Sequence, residues 1–436
     1  MAVPSRARRL SVALTGVAVD IGALRESKAF RRLSAGQLVS LVGRQITVVA
    51  VPYQVYTSTR SPVLVGLLGL AQVVPLVSTS LALGGLADRV DRRHLLLVTS
   101  ALLGLCSLAL LLGALSHTPV FFVFIVVAVA AAVAALDSPT RTAIVPNLVS
   151  PERLPGALSF NIAMFQVALI AGPALGGLII AHLGLAGAYL VDVASFVAAL
   201  LAVWLLPPQP PHSTAREPML SALRRGFAFV RRRPVIIGGY AMDLSAMIFG
   251  LPRAVFPVLA ATTFNTNAQG LGYLYAAPGA GAVLAALSTG WLSRSTRMGR
   301  VVVGCIALWG TAIIAFGFVT ALWVGLVLLA IAGAADSVSA ICRTAIMQTL
   351  TPDELRGRIT ATYFMVVVGG PFLGDLEAGV IAGTTSARVS VVSGGVLCLV
   401  GLALSAVAYP QVWGYRGRAT DAPPALSDDA LAGPPV

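Results

Sequence analysis

The feature that most restricts the fold of this chain is a series of long apolar stretches separated by short polar breaks. Each stretch is close to the roughly 20 residues that cross a bilayer as a helix. Membrane β-strands alternate polar and apolar residues, whereas VFFVFIVVAVAAAVAAL at 120–136 is apolar on every side. We therefore predict an all-α membrane protein with twelve transmembrane helices, near residues 33–57, 62–87, 95–116, 119–140, 154–182, 185–206, 234–262, 270–292, 301–320, 322–342, 357–382 and 388–410.

The charged residues are few and unevenly placed. Only 11% of the 436 residues are charged, against roughly 25% in soluble domains, which excludes soluble enzymes and disordered chains. Of the 30 Lys and Arg residues, 26 fall on one side of the predicted crossings, Arg60 and Arg388 fall on the other, and Arg44 and Arg253 lie within spans. Because positively charged loops stay cytoplasmic, we predict a multi-pass inner-membrane protein with both termini in the cytoplasm. The net charge of +13 is then an orientation signal, and no nucleic-acid partner is expected.

The two ends of the chain are predicted to lie outside the membrane. Residues 1–32 form a cytoplasmic segment, in which DIGALRESKAFRRL is expected to be an amphipathic helix at the membrane surface. Residues 411–436 have the composition of a disordered cytoplasmic tail. The four cysteines lie far apart within apolar spans, so they indicate no metal site and no disulfide framework.

An internal repeat divides the chain into two halves. Arg-Thr-Ala-Ile occurs at 141–144 and again at 343–346, an offset of 202, and the Gly-Pro pair at 172–173 returns at 370–371. Paired six-helix halves with a substrate site between them are the architecture of secondary transporters. We predict two pseudo-symmetric six-helix bundles joined by a cytoplasmic linker, with boundaries at 33–206, 207–233 and 234–410.

The loop after the second span reads GGLADRVDRR from Gly84 and Gly85 onward. It resembles the signature loop of the major facilitator superfamily, G-x-L-A-D-R-x-G-R-R/K, with Asp91 in the place of a glycine. Glycines let helices approach closely, and a carboxylate can face a helix N-terminus, while the arginines can pair with carboxylates on the facing bundle. The resemblance implies a conformational latch; a simple positively charged loop is the alternative. Its charged residues are Asp88, Arg89, Arg92 and Arg93.

Two further patterns belong to the same interpretation. Asp137 and Arg141 are spaced i,i+4 in the fourth span and are expected to form a helix-face pair beside the latch loop. GPALGG in the fifth span resembles the GPxxGG core of the antiporter motif found in exporters of this superfamily. That resemblance implies export, and ordinary packing of small residues is the alternative. Its motif residues are Gly172, Pro173, Gly176 and Gly177.

Three longer segments of the sequence resemble one branch of this superfamily in particular. Residues 43–70, 258–287 and 369–379 are similar to the branch of the superfamily that contains enterobactin (siderophore) exporters, with macrolide and multidrug efflux proteins among its members. The similarity covers about residues 30–412. It implies the twelve-helix major facilitator fold and transport of a small molecule.

Ionisable residues inside the spans are candidates for function, because each costs about 2.5–3.5 kcal/mol to bury at the bilayer centre. A carboxylate within a span can take up a proton from outside and release it inside. Asp375 follows a Gly-Pro break and is the favoured carrier, with Glu377 next; a structural ion pair with Arg44 or Arg253 is the alternative. The complete set of proton-coupling candidates is Asp375, Glu377, Asp243 and Asp192.

A second set of residues is expected to line a central cavity. Arg44 and Arg253 lie in related spans of the two halves and could attract an anionic substrate, although each could instead neutralise a nearby acid. Gln45 and Tyr53 lie in the same span as Arg44. The predicted cavity residues are therefore Arg44, Arg253, Gln45 and Tyr53.

These observations predict a proton-coupled exporter of a siderophore or another amphipathic small molecule, working by alternating access. Multidrug or macrolide efflux is the nearest alternative, and an uncoupled facilitator or a membrane sensor belongs to a different class. The chain contains no phosphate-binding loop and no catalytic motif, so we expect neither an enzyme nor a cofactor or metal. The expected partners are the substrate, protons and membrane lipid, and we expect a monomer.

Overall fold

The computed structural model of the protein describes residues 22–86, 89–210, 226–289, 292, 296–352 and 355–416. All regular elements within these ranges are helical. The first half contains α1 (Lys28–Thr59), α2 (Pro62–Leu83), α3 (Arg92–Leu115), α4 (Val120–Leu148) and the segment Leu154–Trp204. Gly184 breaks this last segment with a φ of 71°, a conformation that glycine adopts without steric cost. It therefore holds two spans, α5 (154–183) and α6 (185–204).

The second half has the same number of spans. Its first helix, α7 (Pro234–Thr262), is interrupted after Phe249 and resumes through the 3₁₀ turn Arg253–Val255. Side-chain caps start several helices: Ser27 before α1, Ser61 before α2 and Ser386 before α12 each accept a hydrogen bond from a backbone N–H of the first turn. The remaining helices are α8 (Ala268–Ser288), α9 (Met298–Phe318), α10 (Leu322–Leu350), α11 (Arg356–Thr384) and α12 (Ala387–Ala408).

The number of spans agrees with the sequence. Ten helical segments of the described part are long and apolar enough to cross a membrane, and one of them contains both α5 and α6. The twelfth span is α11, which has 29 residues and carries Asp375 and Glu377. Large apolar side chains such as Phe121 and Trp323 are each 73% exposed, as expected for surfaces that face lipid. The prediction of twelve membrane helices in an all-α fold is confirmed.

The helices form two bundles, α1–α6 and α7–α12, and two helix pairs make the main contacts between them: α2 with α11, and α5 with α8. Glycines allow both contacts. A Cβ on Gly66 would lie 2.6 Å from the carbonyl oxygen of Asp375, and a Cβ on Gly177 would lie 2.8 Å from the Cα of Gly272. Gly66 also contacts Gly379. Because Gly66 and Gly272 are 206 residues apart and Gly177 and Gly379 are 202 apart, the internal repeat relates the two contacts.

These glycine contacts lie toward one end of the molecule. We call this end the far face; it carries the α1–α2 and α7–α8 connections, and the arginine-rich face is the opposite end, with the loop after α2. Gly66 is in the second turn of α2 and Gly272 is in the second turn of α8, and both helices begin at the far face. The bundles are therefore held together at the far face.

The segments outside the membrane differ from the prediction in two places. The amphipathic helix expected around residues 20–33 is not continuous: a short helix, Gly22–Glu26, ends before Ser27, and α1 begins at Lys28. The expected disorder from residue 411 is wrong for 411–416, because the short helix Pro410–Gly414 packs Val412 against Gly238 and Gly299. Residues 1–21, 211–225 and 417–436 of the predicted terminal and linker segments lie outside the described residues.

Candidate functional site

A cavity of about 460 Å³ lies between the two bundles, within the size range of small-molecule sites. Both halves of the chain line it. Four of its lining residues were predicted to be functional from the sequence and carry charge: Arg44 on α1, Asp192 on α6, Arg253 on α7 and Asp375 on α11. Gln45 also lines the cavity, as predicted. The lining thus combines charged groups with a larger apolar surface, which suits an amphipathic ligand.

Arg253 and Asp375 form an ion pair at the cavity wall. The guanidinium Nη2 lies 3.1 Å from the carboxylate Oδ2. The interruption of α7 positions the arginine: Trp309 Nε1 donates a hydrogen bond to the free carbonyl of Gly250 at 2.6 Å, and the Tyr275 hydroxyl donates to the carbonyl of Arg253 itself at 3.1 Å. The first bond satisfies a carbonyl that a continuous helix would have paired. The second adds to the bond that the Arg253 carbonyl accepts from the Phe256 backbone N–H, and Pro257 has no N–H to offer it.

Asp192 is held in a different way. The hydroxyls of Thr47 and Ser107 both donate to its Oδ2 at 2.7 Å, and the Ser195 hydroxyl lies 3.3 Å from its Oδ1. Asp192 is buried and has no ion pair within the described residues. Neutral hydroxyl donors therefore satisfy a carboxylate on the wall of this cavity.

Arg44 lines the cavity without an ion pair in the part of the chain that the structure describes, and it interacts with Asp137 and Asp192 only at longer range. Of the two alternatives given for the arginines, the structure shows neutralisation of a nearby acid for Arg253, because Asp375 pairs with it; attraction of an anionic substrate stays a prediction. With two arginines and two aspartates, the charges that line the cavity sum to zero.

Three predicted residues lie away from the cavity. Tyr53 does not line it and instead packs against the buried apolar core. Glu377 is two residues beyond Asp375, so it points to another side of α11, and its Oε1 is buried without a hydrogen-bond partner. Asp243 is fully buried within the second bundle, where it pairs with Arg343. Neither Glu377 nor Asp243 lines the cavity.

Sequence reasoning missed several lining residues. Thr47 lies one helical turn from Arg44, and that spacing could have placed it on the same side of α1. Ser107 and Tyr275 carried no usable signal, because single hydroxyl residues are common in membrane spans. The aromatic part of the lining, also missed, comprises Phe165, Phe196 and Phe372.

The GPALGG motif faces two neighbours at once. A Cβ on Gly172 would overlap the Cβ of Gln45, and a Cβ on Gly176 would lie 3.1 Å from the Cα of Ile46, so both glycines pack against α1. Gly177 instead contacts α8 of the other bundle, and the Pro173 carbonyl lies on the same side. The motif thus joins the cavity-lining helix α1 to the contact between the bundles.

The arginines of the predicted latch bind within their own bundle in this conformation. Arg92 donates to the carbonyl of Ala143 at 3.0 Å, and Arg93 donates to the carbonyl of Trp204 at 2.6 Å. These carbonyls lie near the ends of α4 and α6, where the helix dipole favours cations. The contacts that the structure describes for these two arginines are thus with backbone carbonyls of their own bundle, and their pairing with carboxylates of the facing bundle stays a prediction. Gly84 caps α2, Gly85 and Arg89 are exposed, and Asp88 lies outside the described residues.

Asp91, the departure from the signature pattern, has a structural role. Its carboxylate accepts hydrogen bonds from the backbone N–H groups of Arg93 and His94 and so caps α3. The other carboxylate oxygen accepts from the Gln209 backbone N–H at 3.1 Å. The residue thus ties the loop after α2 to the segment after α6.

Asp137 and Arg141 form the predicted pair, with Nε and Oδ2 2.7 Å apart. Both are buried, and α3 completes the site: Thr99 donates to Asp137 at 2.9 Å, and Arg141 donates to Ser100 at 2.8 Å. Every charge in this cluster is matched one to one. That balance makes Asp137 a structural partner of Arg141.

Comparison with known proteins identifies the family. A profile of the transmembrane secretion effector family, part of the major facilitator superfamily, matches residues 21–421. The chain belongs to this family. It is therefore a multi-pass membrane transporter and not an enzyme.

Two curated relatives support a more specific placement. Enterobactin exporter EntS of Shigella boydii serotype 4 is 30% identical over 391 residues, which cover 88% of this transporter and 93% of the relative. Enterobactin exporter EntS of Citrobacter koseri matches with the same identity and coverage. The resemblance to siderophore exporters noted in the sequence is confirmed.

Solved structures show the same fold. A bacterial homologue of the human lysosomal transporter Spinster, inward-facing and unoccupied, superposes with a TM-score of 0.71 at 14% identity, covering 91% of this transporter and 98% of that chain. A bacterial homologue of the iron transporter ferroportin, in an inward-facing state, gives a TM-score of 0.66 at 16% identity, with 88% and 98% coverage. At these identities the similarity concerns the fold alone.

Proposed function

We propose that this transporter exports a siderophore, or a similar amphipathic molecule rich in hydroxyl groups, in exchange for protons across the cytoplasmic membrane. The observation that carries the proposal is the Arg253–Asp375 ion pair on the wall of a cavity between two bundles. The names of the EntS relatives support the direction and the substrate class. In this proposal the arginine-rich face is cytoplasmic, the two bundles rock as units, and a monomer suffices.

The chemistry of the cavity favours a hydroxyl-rich substrate over a strongly anionic one. Its charged groups sum to zero, so the cavity carries no excess positive charge that would favour an anion over a neutral ligand. Asp192 already accepts two hydroxyl hydrogen bonds from the protein at 2.7 Å. Asp375 offers the same acceptor chemistry to the hydroxyl groups of a substrate. The phenylalanine side chains that line the cavity can pack against aromatic rings of that substrate. Gln45 and Gln72, on α1 and α2, also line the cavity.

The same arrangement supports antiport, in which substrate and proton move in opposite directions, over co-transport. An ionised Asp375 accepts hydrogen bonds from substrate hydroxyls and pairs with Arg253. A protonated Asp375 loses its charge and much of its strength as an acceptor, so the substrate is released. Substrate and proton then exclude each other at one carboxyl group, which is the requirement for antiport. A purely anionic substrate held by Arg253 would instead bind better when Asp375 is protonated, and would produce co-transport.

The test uses purified protein in liposomes with a pH-sensitive dye inside and enterobactin as the probe. We expect enterobactin movement to drive an opposite proton movement in the wild type. Asp375→Asn resembles the protonated carboxyl, so it should bind enterobactin more weakly and should lose the proton signal even at saturating enterobactin. Glu377→Gln, outside the cavity, should keep both. Enterobactin flux without a proton signal in the wild type would establish an uncoupled facilitator and refute antiport.

The same liposomes distinguish siderophore export from drug efflux and from a sensory role. A macrolide antibiotic that drives protons while enterobactin does not would replace siderophore export with drug efflux. The absence of flux with either compound, from protein that is folded and binds enterobactin, would favour a sensor and contradict export.

A further inference from the structure

A second cluster of buried charges lies inside the α7–α12 bundle, apart from the cavity. Arg343 on α10 has its Nη2 2.7 Å from Oδ1 of Asp243 on α7 and 3.5 Å from Oδ1 of Asp336 on α10. Its Nη1 donates to the Ser339 hydroxyl at 3.1 Å. The side chains of Asp243 and Arg343 are 1% and 6% exposed, and the second oxygen of Asp243, Oδ2, is buried without a hydrogen-bond partner.

The repeat gives this cluster an internal reference. Arg141 and Arg343 occupy the same place in the repeated Arg-Thr-Ala-Ile sequence, and the offset of 202 relates Asp137 to Ser339. In the first bundle one arginine faces one aspartate. In the second bundle one arginine faces two, and no other cation pairs with either acid in the described part of the chain. The first cluster is neutral, whereas the second carries one negative charge in excess when both acids are ionised.

An uncompensated charge inside a membrane bundle is expensive, and two carboxylates that share a site do not both ionise readily. The other titratable groups around the cluster do not supply the missing positive charge, since each is neutral in its protonated form. The Tyr363 hydroxyl of α11 interacts with Arg343, and the Tyr240 ring packs 5.5 Å from the Tyr363 ring. Among the described residues, the thiols of Cys342 on α10 and Cys398 on α12 lie in the same buried core, and the Cys305 thiol on α9 interacts with Arg343 and Asp336.

We propose that Asp243, Asp336 and Arg343 form a second proton-binding site, which holds one exchangeable proton shared by the two carboxyl groups. The proton forms an O–H bond on one carboxylate oxygen, Arg343 keeps its charge, and the cluster changes from a net charge of minus one to zero. Asp336, with a side chain 33% exposed, is the group that exchanges the proton with water. The site does not depend on the cavity, the substrate or the direction of transport.

The position of the site links it to the cavity. Asp243 lies on α7, the helix whose interruption carries Arg253, and Tyr363 lies on α11, the helix that carries Asp375. A proton gained or lost at Asp243 and Asp336 therefore changes the charge where α7 and α11 approach each other, and these are the two helices that carry the cavity ion pair. This site would set the pH range in which α7 and α11 move, in addition to the proton exchanged at Asp375.

Infrared difference spectroscopy tests the site directly, because a protonated carboxyl group has a carbonyl stretch that shifts in D₂O. The measurement uses the full-length protein in lipid and compares neutral with alkaline buffer. We expect the wild type to show such a band and to lose it as the buffer becomes alkaline. Asp336→Asn leaves Asp243 and Arg343 matched one to one, so the titrating band should disappear. Asp243→Asn should remove it as well.

The matched control is Asp137→Asn, which alters the repeat-related pair and should leave the band unchanged. Asp375→Asn should also leave it, which separates this site from the proposed antiport. A band that persists in both Asp336→Asn and Asp243→Asn would overturn the proposal, and so would its absence from folded wild-type protein. If one variant does not fold, the other still decides the result.

Discussion

The contact between Gly177 and Gly272 predicts that a larger side chain at this point forces the far face open. A Cβ on Gly177 would lie 2.5 Å from the carbonyl oxygen of Ala268 and 2.8 Å from the Cα of Gly272. Both are backbone atoms, so no side-chain rotation can relieve the overlap. Gly177→Val therefore destabilises the conformation in which the bundles touch here and leaves a conformation with separated ends unaffected.

The size of the effect follows from the overlap. Overpacking typically costs 1–3 kcal/mol, and a clash with backbone belongs at the upper end of that range. About 3 kcal/mol corresponds to a change of about 140-fold in the ratio of the two conformations. If the closed conformation of the parent outweighs the open one by less than this factor, Gly177→Val should be predominantly open at the far face.

Distance measurements between two spin labels detect this opening of the far face. His182 and Thr262 are exposed on opposite bundles at the far face, and labels at these positions in a background without the native cysteines report their separation. We expect longer distances in Gly177→Val than in the parent. Gly304→Val is the matched control, because a Cβ there has no neighbour within 4 Å, and its distances should equal those of the parent.

An unchanged distance distribution in folded Gly177→Val would refute the reasoning. It would mean that the two helices slide past each other at little cost, and that the glycine contact does not close the far face.

Two further substitutions test the polar contacts. Asp91→Gly restores the residue of the signature pattern but removes the side-chain cap of α3 and the hydrogen bond from the Gln209 backbone N–H. Glycine at a helix cap costs only about a few tenths of a kcal/mol and the lost bond about 1 kcal/mol, so thermal unfolding should show a loss of about 1 kcal/mol; no loss would contradict the structural role of Asp91. Asp137→Asn leaves Arg141 buried without its charge partner and should cost about 3–5 kcal/mol, whereas Asp336→Asn should cost far less because Asp243 still pairs with its arginine. Equal losses in the two variants would contradict the difference in charge balance.

Much of the architecture was predictable because it depends on patterns that survive without tertiary information. The apolar spans, the one-sided arginines and the repeat require only spacing and hydropathy. The repeat even marks the contacts between the bundles, since Gly66 and Gly272 are related by it. The pair Asp137 and Arg141 was predictable because it lies on one helix at a spacing of four residues.

The site was less predictable because it depends on how helices rotate and break. Arg253 meets Asp375 only because α7 is interrupted after Phe249, and nothing local in the sequence shows which acid the arginine will face. Tyr53 lies in the same span as Arg44, but helix rotation turns it toward the core. The cap at Asp91 could have been predicted, since aspartate is a favoured residue immediately before a helix.

The most direct test of proton-coupled export is proton release on substrate binding. The measurement adds enterobactin to purified protein in weakly buffered solution and follows a pH indicator. If substrate and proton exclude each other at Asp375, a sample in which that carboxyl is partly protonated should release protons as it binds enterobactin. Asp375→Asn should bind enterobactin more weakly and should release no protons, even at enterobactin concentrations that saturate it. Proton uptake, or binding with no pH change in the wild type at any starting pH, would contradict antiport at this residue.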